Sequence, residues 1–211
     1  MPDPVGDAVE WIRDGGLLAY PTETVWGLGA DAEANCALER LRRWKRRDES
    51  EPVAILVESV DDLGTLGFEV GRAAERLAAA FWPGPLTLIL NCGRRFAPGV
   101  ARADGAVGVR CSAHPLAAAI ARRLRAEGVG PITATSLNAS GEAPARTRDA
   151  AGAVCGEEGD QPHMIAVDQA ESGGDAASTV VDATGRQPRV ARWGGLAAAR
   201  LEPVLREIAG S

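Results

Sequence analysis

The 211-residue sequence predicts an α/β fold, a single domain in which helices flank a mixed β-sheet. Three observations lead there. Short apolar runs of strand character alternate with segments of helical periodicity along the whole length, without an internal repeat. No linker interrupts the chain, so its length suits one large domain. Hydrophobic residues make up 45% of the sequence, ample for a core, but aromatics only 4%, so Leu, Val, Ile and Ala must fill it.

Residues 4–14 read as a short helix with Val5, Val9 and Ile12 near one face. Leu17-Leu18-Ala19-Tyr20 reads as a buried strand ending at Pro21, and the Thr- and Gly-rich segment after it as a loop. Residues 35–46 are helical, with Leu38, Leu41 and Trp44 recurring at about three-residue spacing and Lys45 in the last turn. Asp48 to Glu51 is a polar connection and Val53–Val57 a strand. Ser59-Val-Asp-Asp62 has the spacing of a helix start, and residues 71–81 form another helix, stopped by Pro83-Gly84-Pro85. Leu86–Leu90 and Val107–Arg110 are strands. His114 to Glu127 is an amphipathic helix, with Leu116, Ile120 and Leu124 at four-residue intervals and Gly128 as its stop. Ile132–Thr135 is a short strand running into the polar loop 136–141. A Gly/Glu-rich stretch over 152–162 is expected to be flexible. Ile165–Val167, Thr179–Val181 and Arg189–Ala191 are the last strands, and a helix over 196–209 closes the chain.

The net charge of −6 argues against broad nonspecific adhesion to nucleic acid or anionic membrane, though a local basic surface remains open. The N-terminus lacks the basic and apolar regions of a secretion signal, and no apolar stretch approaches a membrane span. Cys36, Cys92, Cys111 and Cys155 are widely spaced without a C-x-x-C pair, which fits reduced thiols in the cytoplasm.

Lys45 is the only lysine beside 22 arginines, a compact point charge kept where every other cation is a planar fork. Upstream, Thr22, Glu23 and Thr24 follow a strand end, where α/β folds place ligand contacts, and Gly27 and Gly29 allow close backbone approach. Lys45 and Arg47 can converge on one anion only if the chain leaves the helix between them. Arg110 ends a strand, where an arginine can hold a carboxylate by a bidentate pair or make a surface salt bridge. Ser136-Leu-Asn138-Ala-Ser140-Gly141 can cradle phosphate or ribose oxygens, or be an ordinary Asn/Ser turn. Ser178 precedes a strand and Arg192 ends one. His114 and His163 have no partners resembling a triad or metal site and read as structural. No P-loop, dinucleotide fingerprint or H-E-x-x-H run is present.

Taken in order, these segments resemble the YrdC family of L-threonylcarbamoyladenylate synthases. They are Pro21-Thr-Glu-Thr-Val-Trp-Gly-Leu-Gly29, Lys45-Arg-Arg47 with Pro52, Trp82-Pro-Gly-Pro-Leu-Thr87 and Val107-Gly-Val-Arg110-Cys-Ser-Ala-His-Pro115. Ser136-Leu-Asn-Ala-Ser-Gly141, Ser178-Thr-Val-Val-Asp182 and Arg192-Trp-Gly194 complete the set, which spans about residues 8–195. The resemblance implies one YrdC-like domain over 1–211, with a twisted mixed sheet and a concave, positively charged cavity. It implies a reaction joining L-threonine, bicarbonate (or CO2) and ATP into threonylcarbamoyl-adenylate and pyrophosphate. The product supplies the threonylcarbamoyl group of the adenosine beside the tRNA anticodon, through a separate transferase.

By the same resemblance Lys45 and Arg47 are catalytic. Lys45, Arg47, Ser136, Asn138 and Arg192 bind ATP. Thr22 or Thr24, Arg110, Ala134 (through its backbone) and Ser178 bind threonine. Mg2+ accompanies the triphosphate, held mainly by phosphate oxygens and water, and a weak contact with tRNA is possible. Some positions depart from the family pattern. Trp26 replaces a tyrosine, Thr135 and Leu137 replace Pro and Ala, and Ala176-Ala177 stand where Val-Glu is usual. Leu56 stands where some members have a histidine near threonine, and Pro144 where some have an ATP-contacting serine. Two other readings remain: a paralogue making a different acyl or carbamoyl adenylate, and a non-catalytic RNA-binding module using the Arg40–Arg47 patch.

Overall fold

The structure is a computed structural model that describes residues 3–48, 51–155, 161–166, 174 and 176–210. Helix α1 (Pro4–Arg13) begins at Asp3, whose carboxylate accepts from Gly6 N–H at 2.9 Å, with proline in the first turn. Its buried stripe Ala8, Val9 and Ile12 packs against a later helix over Pro115–Ala126.

Strand β1 (Leu18–Tyr20) is buried throughout and pairs antiparallel with β2 (Gly27–Gly29), which lies inside the segment expected to be loop. Two glycines in three residues hide β2 from a propensity reading. Their role is steric. A Cβ on Gly27 would lie 2.8 Å from Tyr20 Cζ, and one on Gly29 2.8 Å from Ile132 Cδ1. The Tyr20 ring therefore packs directly on the β2 backbone.

Helix α2 (Asn35–Lys45) buries Ala37, Leu38, Leu41 and Lys45. The buried stripe thus runs Leu38–Leu41–Lys45, and Trp44, expected on it, is only half-buried, its indole N–H donating to Gln161 Oε1 at 2.9 Å. Then come β3 (Ile55–Val57), the one-turn α3 (Asp62–Thr65), α4 (Arg72–Phe81), β4 (Leu86–Leu90), β5 (Val107–Cys111) and α5 (Pro115–Ala126). His114 caps α5, its Nδ1 accepting from Leu116 N–H at 3.2 Å, and Gly128 takes a positive φ of 67° just past its end. The chain continues with β6 (Thr135–Ser136), α6 (Arg148–Cys155), β7 (His163–Met164), β8 (Thr179–Asp182), β9 (Arg189–Arg192) and α7 (Ala198–Ala209). Helix α6 was not expected; it takes up the start of the stretch read as flexible, of which residues 156–160 lie outside the described residues. The strand expected over 165–167 is displaced to His163–Met164, and Val167 lies outside the described residues.

The single mixed sheet expected from the sequence is two mixed sheets. One has four strands in the order β6-β2-β1-β7, the other five in the order β3-β5-β4-β8-β9. Residues 132–136 form the seam between them. Ile132 bridges to Asp31 and Thr133 to Ile55, while Ala134 N–H donates to Ala54 C=O at 2.7 Å and Leu56 N–H to Ile132 C=O at 2.8 Å. Because this short segment divides its backbone hydrogen bonds between both sheets, only Thr135–Ser136 forms a regular strand.

Register in the five-stranded sheet sets up everything that follows. Leu56 lies opposite Arg110, Arg110 opposite Thr87, Thr87 opposite Val180, and Val180 opposite Arg192. Opposed residues point to the same face of a sheet, so this row presents two arginines and a threonine across all five strands on one side.

Candidate active site

That face borders a cavity of about 190 Å³. Arg110, Thr87, Val180 and Arg192 of the row line it, joined by Ser178 just before β8 and Arg102 from the loop leading to β5. From the facing sheet come Trp26 and Gly27, from the seam Ala134, Thr135 and Ser136, and from the end of α2 comes Arg47. Four arginines line the cavity, and no carboxylate does among the described residues. Burial, followed by the nearby charges of Arg110 and Arg47, holds the Arg192 pKa below its ordinary value. These three guanidiniums therefore sense each other, and a bound anion would relieve the repulsion.

Lys45 follows from the stripe of α2. One turn beyond Leu41, it is 2% exposed, and its ammonium reaches Ser136 C=O at 2.5 Å, Asn138 C=O at 2.8 Å and Asn138 Oδ1 at 3.4 Å. Its own carbonyl accepts from Ser140 N–H at 2.8 Å. Asn138 is committed to the same turn: its amide donates to Ala139 C=O at 2.9 Å and Glu142 C=O at 2.8 Å, and its Oδ1 accepts from Ser136 Oγ at 2.5 Å. Lys45 and Asn138 therefore stand behind the wall, shaping the turn that offers Ser136 to the cavity. Burial, then the neighbouring Arg47, pushes the Lys45 pKa down to about 8.

Arg46 caps α2 in the left-handed region, with φ 52° and ψ 43°. The chain therefore leaves the helix between Lys45 and Arg47, the condition for both to serve one site. Arg47 turns into the cavity, its Nη1 donating to Thr135 Oγ1 at 3.3 Å and its Nη2 to Pro52 C=O at 3.2 Å, with Glu51 3.1 Å from Nε.

Arg110 is held from behind. Its Nη2 donates to Thr22 Oγ1 at 3.2 Å, to Glu23 Oε1 at 2.9 Å and to Thr24 Oγ1. Thr22 and Thr24 also bond each other, at 2.9 Å. Neither lines the cavity; both fix the guanidinium that does. Burial alone would raise the Glu23 pKa, but Arg110 and the Ser112 hydroxyl outweigh it and hold the carboxyl below its usual value. Among the described residues the Arg110 hydrogen bonds go through Nη2, and Nε is buried without a hydrogen-bond acceptor, as is the Trp26 indole N–H.

Of the residues expected to bind nucleotide, Arg47, Ser136 and Arg192 line the cavity. Of those expected to bind threonine, Arg110, Ala134 and Ser178 do. Arg192 also donates to Ser178 C=O at 3.0 Å, tying the two sets together. The sequence reading gave no role to Thr87, although it ends the Trp82–Thr87 motif and is the one hydroxyl in an otherwise apolar strand, and it missed the part Glu23 plays behind Arg110. It also missed Arg102, which pairs with Asp104 and, at 2.6 Å, with Asp182. Nothing in its local sequence distinguishes Arg102 from the many surface arginines.

The chain resembles known proteins over nearly its whole length. The model of the Sua5/YciO/YrdC family, described as "Telomere recombination", matches residues 10–194. A protein of Stenotrophomonas maltophilia named "Threonylcarbamoyl-AMP synthase" is 40% identical over 144 residues, covering 67% of this chain and 75% of its own. Among solved structures, Pyrococcus abyssi Sua5 complexed with L-threonine aligns with a TM-score of 0.84 at 33% identity, over 97% of this chain. This chain spans 58% of the length of that protein. Escherichia coli YciO aligns with a TM-score of 0.76 at 25% identity, over 95% of this chain and 94% of its own.

Proposed function

The chain belongs to the Sua5/YciO/YrdC family, and we propose that it is an L-threonylcarbamoyladenylate synthase, converting L-threonine, bicarbonate and ATP into threonylcarbamoyl-AMP, pyrophosphate and water. One observation carries the reading: a cavity with Arg47, Arg110 and Arg192 in its walls and no carboxylate among the described ones. Such a site suits two anionic substrates brought together, and among the described residues it contains no histidine or cysteine to act as base or nucleophile.

The chemistry asks little covalent help of the protein. The threonine amine captures CO2 as a carbamate, whose oxygen attacks the α-phosphorus while pyrophosphate departs. The fork of Arg110, braced by Thr22, Thr24 and Glu23, takes the amino-acid carboxylate. Arg47 and Arg192 take phosphate oxygens and offset the charge that grows on the leaving pyrophosphate. Lys45 acts through the Ser136–Asn138 turn, whose geometry it fixes for the nucleotide. Holding carbamate and α-phosphorus in line supplies most of the acceleration, since a well-oriented pair can gain roughly 7–11 kcal/mol over free encounter.

Among the described residues the cavity walls provide no carboxylate set for a resident metal, so Mg2+ would accompany the triphosphate and offset its charge. The product passes to a separate transferase that modifies the adenosine beside the tRNA anticodon. No helix of the described residues is long and apolar enough to cross a membrane, and a cytoplasmic location accords with tRNA as final acceptor. The test is pyrophosphate release from ATP and bicarbonate with each amino acid in turn. Threonine-dependent release is expected. Release with carbamoyl phosphate in place of threonine, or no turnover at all, overturns the assignment.

A further inference from the structure

Thr87 sits at the centre of the row across the five-stranded sheet, opposite Arg110 on one side and Val180 on the other. It is 5% exposed and Ser178 4%, both line the cavity, and their hydroxyl oxygens lie 2.7 Å apart. That bond is the only one either hydroxyl makes among the described residues. Each hydroxyl carries one hydrogen, and the mutual bond uses one of the two. Whichever oxygen donates, the pair keeps one O–H donor and spare lone pairs. The natural complement is a group that both accepts and donates in one place, which is another hydroxyl.

The surroundings give this pair a direction. An amino acid whose carboxylate lies on Arg110 has Thr87 beside it on the β4 side, while Leu56, at the matching position on β3, is buried outside the cavity lining. Ala54 lines the cavity one step further along, and Gly108, whose Cβ would approach the Ala54 Cβ to 3.1 Å, keeps that floor low. A β-carbon bearing one hydroxyl and one methyl group thus meets a polar wall on one side and an apolar wall on the other.

We propose that Thr87, together with Ser178, is the specificity-determining contact for the β-hydroxyl of the amino-acid substrate, and that the Ala54 side receives the β-methyl. This rests on the reading of the site as an amino-acid-dependent adenylate synthase. It adds a residue and a stereochemical rule: L-threonine fits both walls, 2-aminobutyrate leaves the hydroxyl pair unmatched, and L-allo-threonine presents its two substituents to the wrong walls.

The experiment measures kcat/KM for pyrophosphate release with L-threonine, L-2-aminobutyrate and L-allo-threonine, in the wild type and in Thr87→Val and Thr87→Ser. Thr87→Val keeps the shape and removes the hydroxyl. It should cut the preference for threonine over 2-aminobutyrate about tenfold or more and narrow the preference over L-allo-threonine, with the KM for ATP unchanged. Thr87→Ser should keep both preferences within about threefold, which a merely structural role for the side chain would not predict. If Thr87→Val does not fold, Thr87→Cys gives the same readout, a thiol being a weak donor of similar size. Unchanged ratios in a folded, active variant overturn the inference while leaving the synthase reading intact. A wild type that releases no pyrophosphate with threonine removes the synthase reading, and this inference with it.

Discussion

A buried ammonium is tolerable at position 45 because three oxygens of one turn surround it. Desolvating a charge costs several kcal/mol, and hydrogen bonds from a charged donor return about 1.5–3 kcal/mol each, so the balance holds only while all the acceptors stay in place. The downward shift of its pKa to about 8 is the residue of that balance. Two opposite pH trends follow. Activity should fall above about pH 8, as the ammonium loses a proton and the Ser136–Asn138 turn loses a donor. Stability moves the other way: the folded pKa lies below the ordinary lysine value of 10.5, so between the two the unfolded chain binds more protons and rising pH favours folding from this group. Lys45→Ala should remove nearly all activity, a loss of at least about a hundredfold, and Lys45→Arg should not rescue it, because a planar fork does not fit three converging carbonyl-type acceptors. The check is a kcat/KM profile against pH beside denaturant unfolding at the same pH values. A Lys45→Ala enzyme with near-normal turnover would remove the lysine from the machinery.

At the level of elements, the site depends on where α2 stops. Two residues apart on a helix, Lys45 and Arg47 would face different directions; the left-handed Arg46 turns the second toward the cavity. A non-glycine residue there pays about 1–2 kcal/mol in steric strain. Arg46→Gly should therefore leave activity intact and stability equal or up to about 1 kcal/mol higher, while the β-branched Arg46→Val should lose about 1–2 kcal/mol and activity with it. Urea unfolding and steady-state rates read both, and a valine variant as stable and active as the wild type would disconnect this cap from the site. The sequence announced the helix, and the lone lysine at its end, but not the cap, because arginine carries no signal for a positive φ. The same limit explains β2. Gly27 and Gly29 look like loop until the Tyr20 ring and the Ile132 side chain are seen to occupy the space where their side chains would be. Strands β4 and β5 were readable from their apolar runs. The row Leu56–Arg110–Thr87–Val180–Arg192 was not, since register between strands far apart in sequence is decided by the assembled sheet.

For the whole molecule the consequence is that the ligand site joins two sheets. Trp26, Gly27 and Ser136 come from the four-stranded sheet and its seam, Thr87, Arg110 and Arg192 from the five-stranded one, and between them a chain of net charge −6 concentrates guanidinium groups around one hollow. Without an anion those cations repel across the joint, which adds to the larger effect of burial in lowering the Arg192 pKa. An anion that binds only the folded state stabilises it by about 2.7 kcal/mol at a hundred times its Kd, which for a chain of this size raises the unfolding midpoint by roughly 5–10 °C. Pyrophosphate should give such a shift, and chloride at equal ionic strength should not. Arg192→Gln removes one of the repelling charges, so its unliganded midpoint should be no lower than the wild type's by more than about 1–2 °C, yet its response to pyrophosphate should fall by more than half. Thermal scans of both proteins over a pyrophosphate titration decide the matter. If the variant responds as fully as the wild type, the anion binds somewhere other than between the sheets, and the shared cationic hollow is not the nucleotide site.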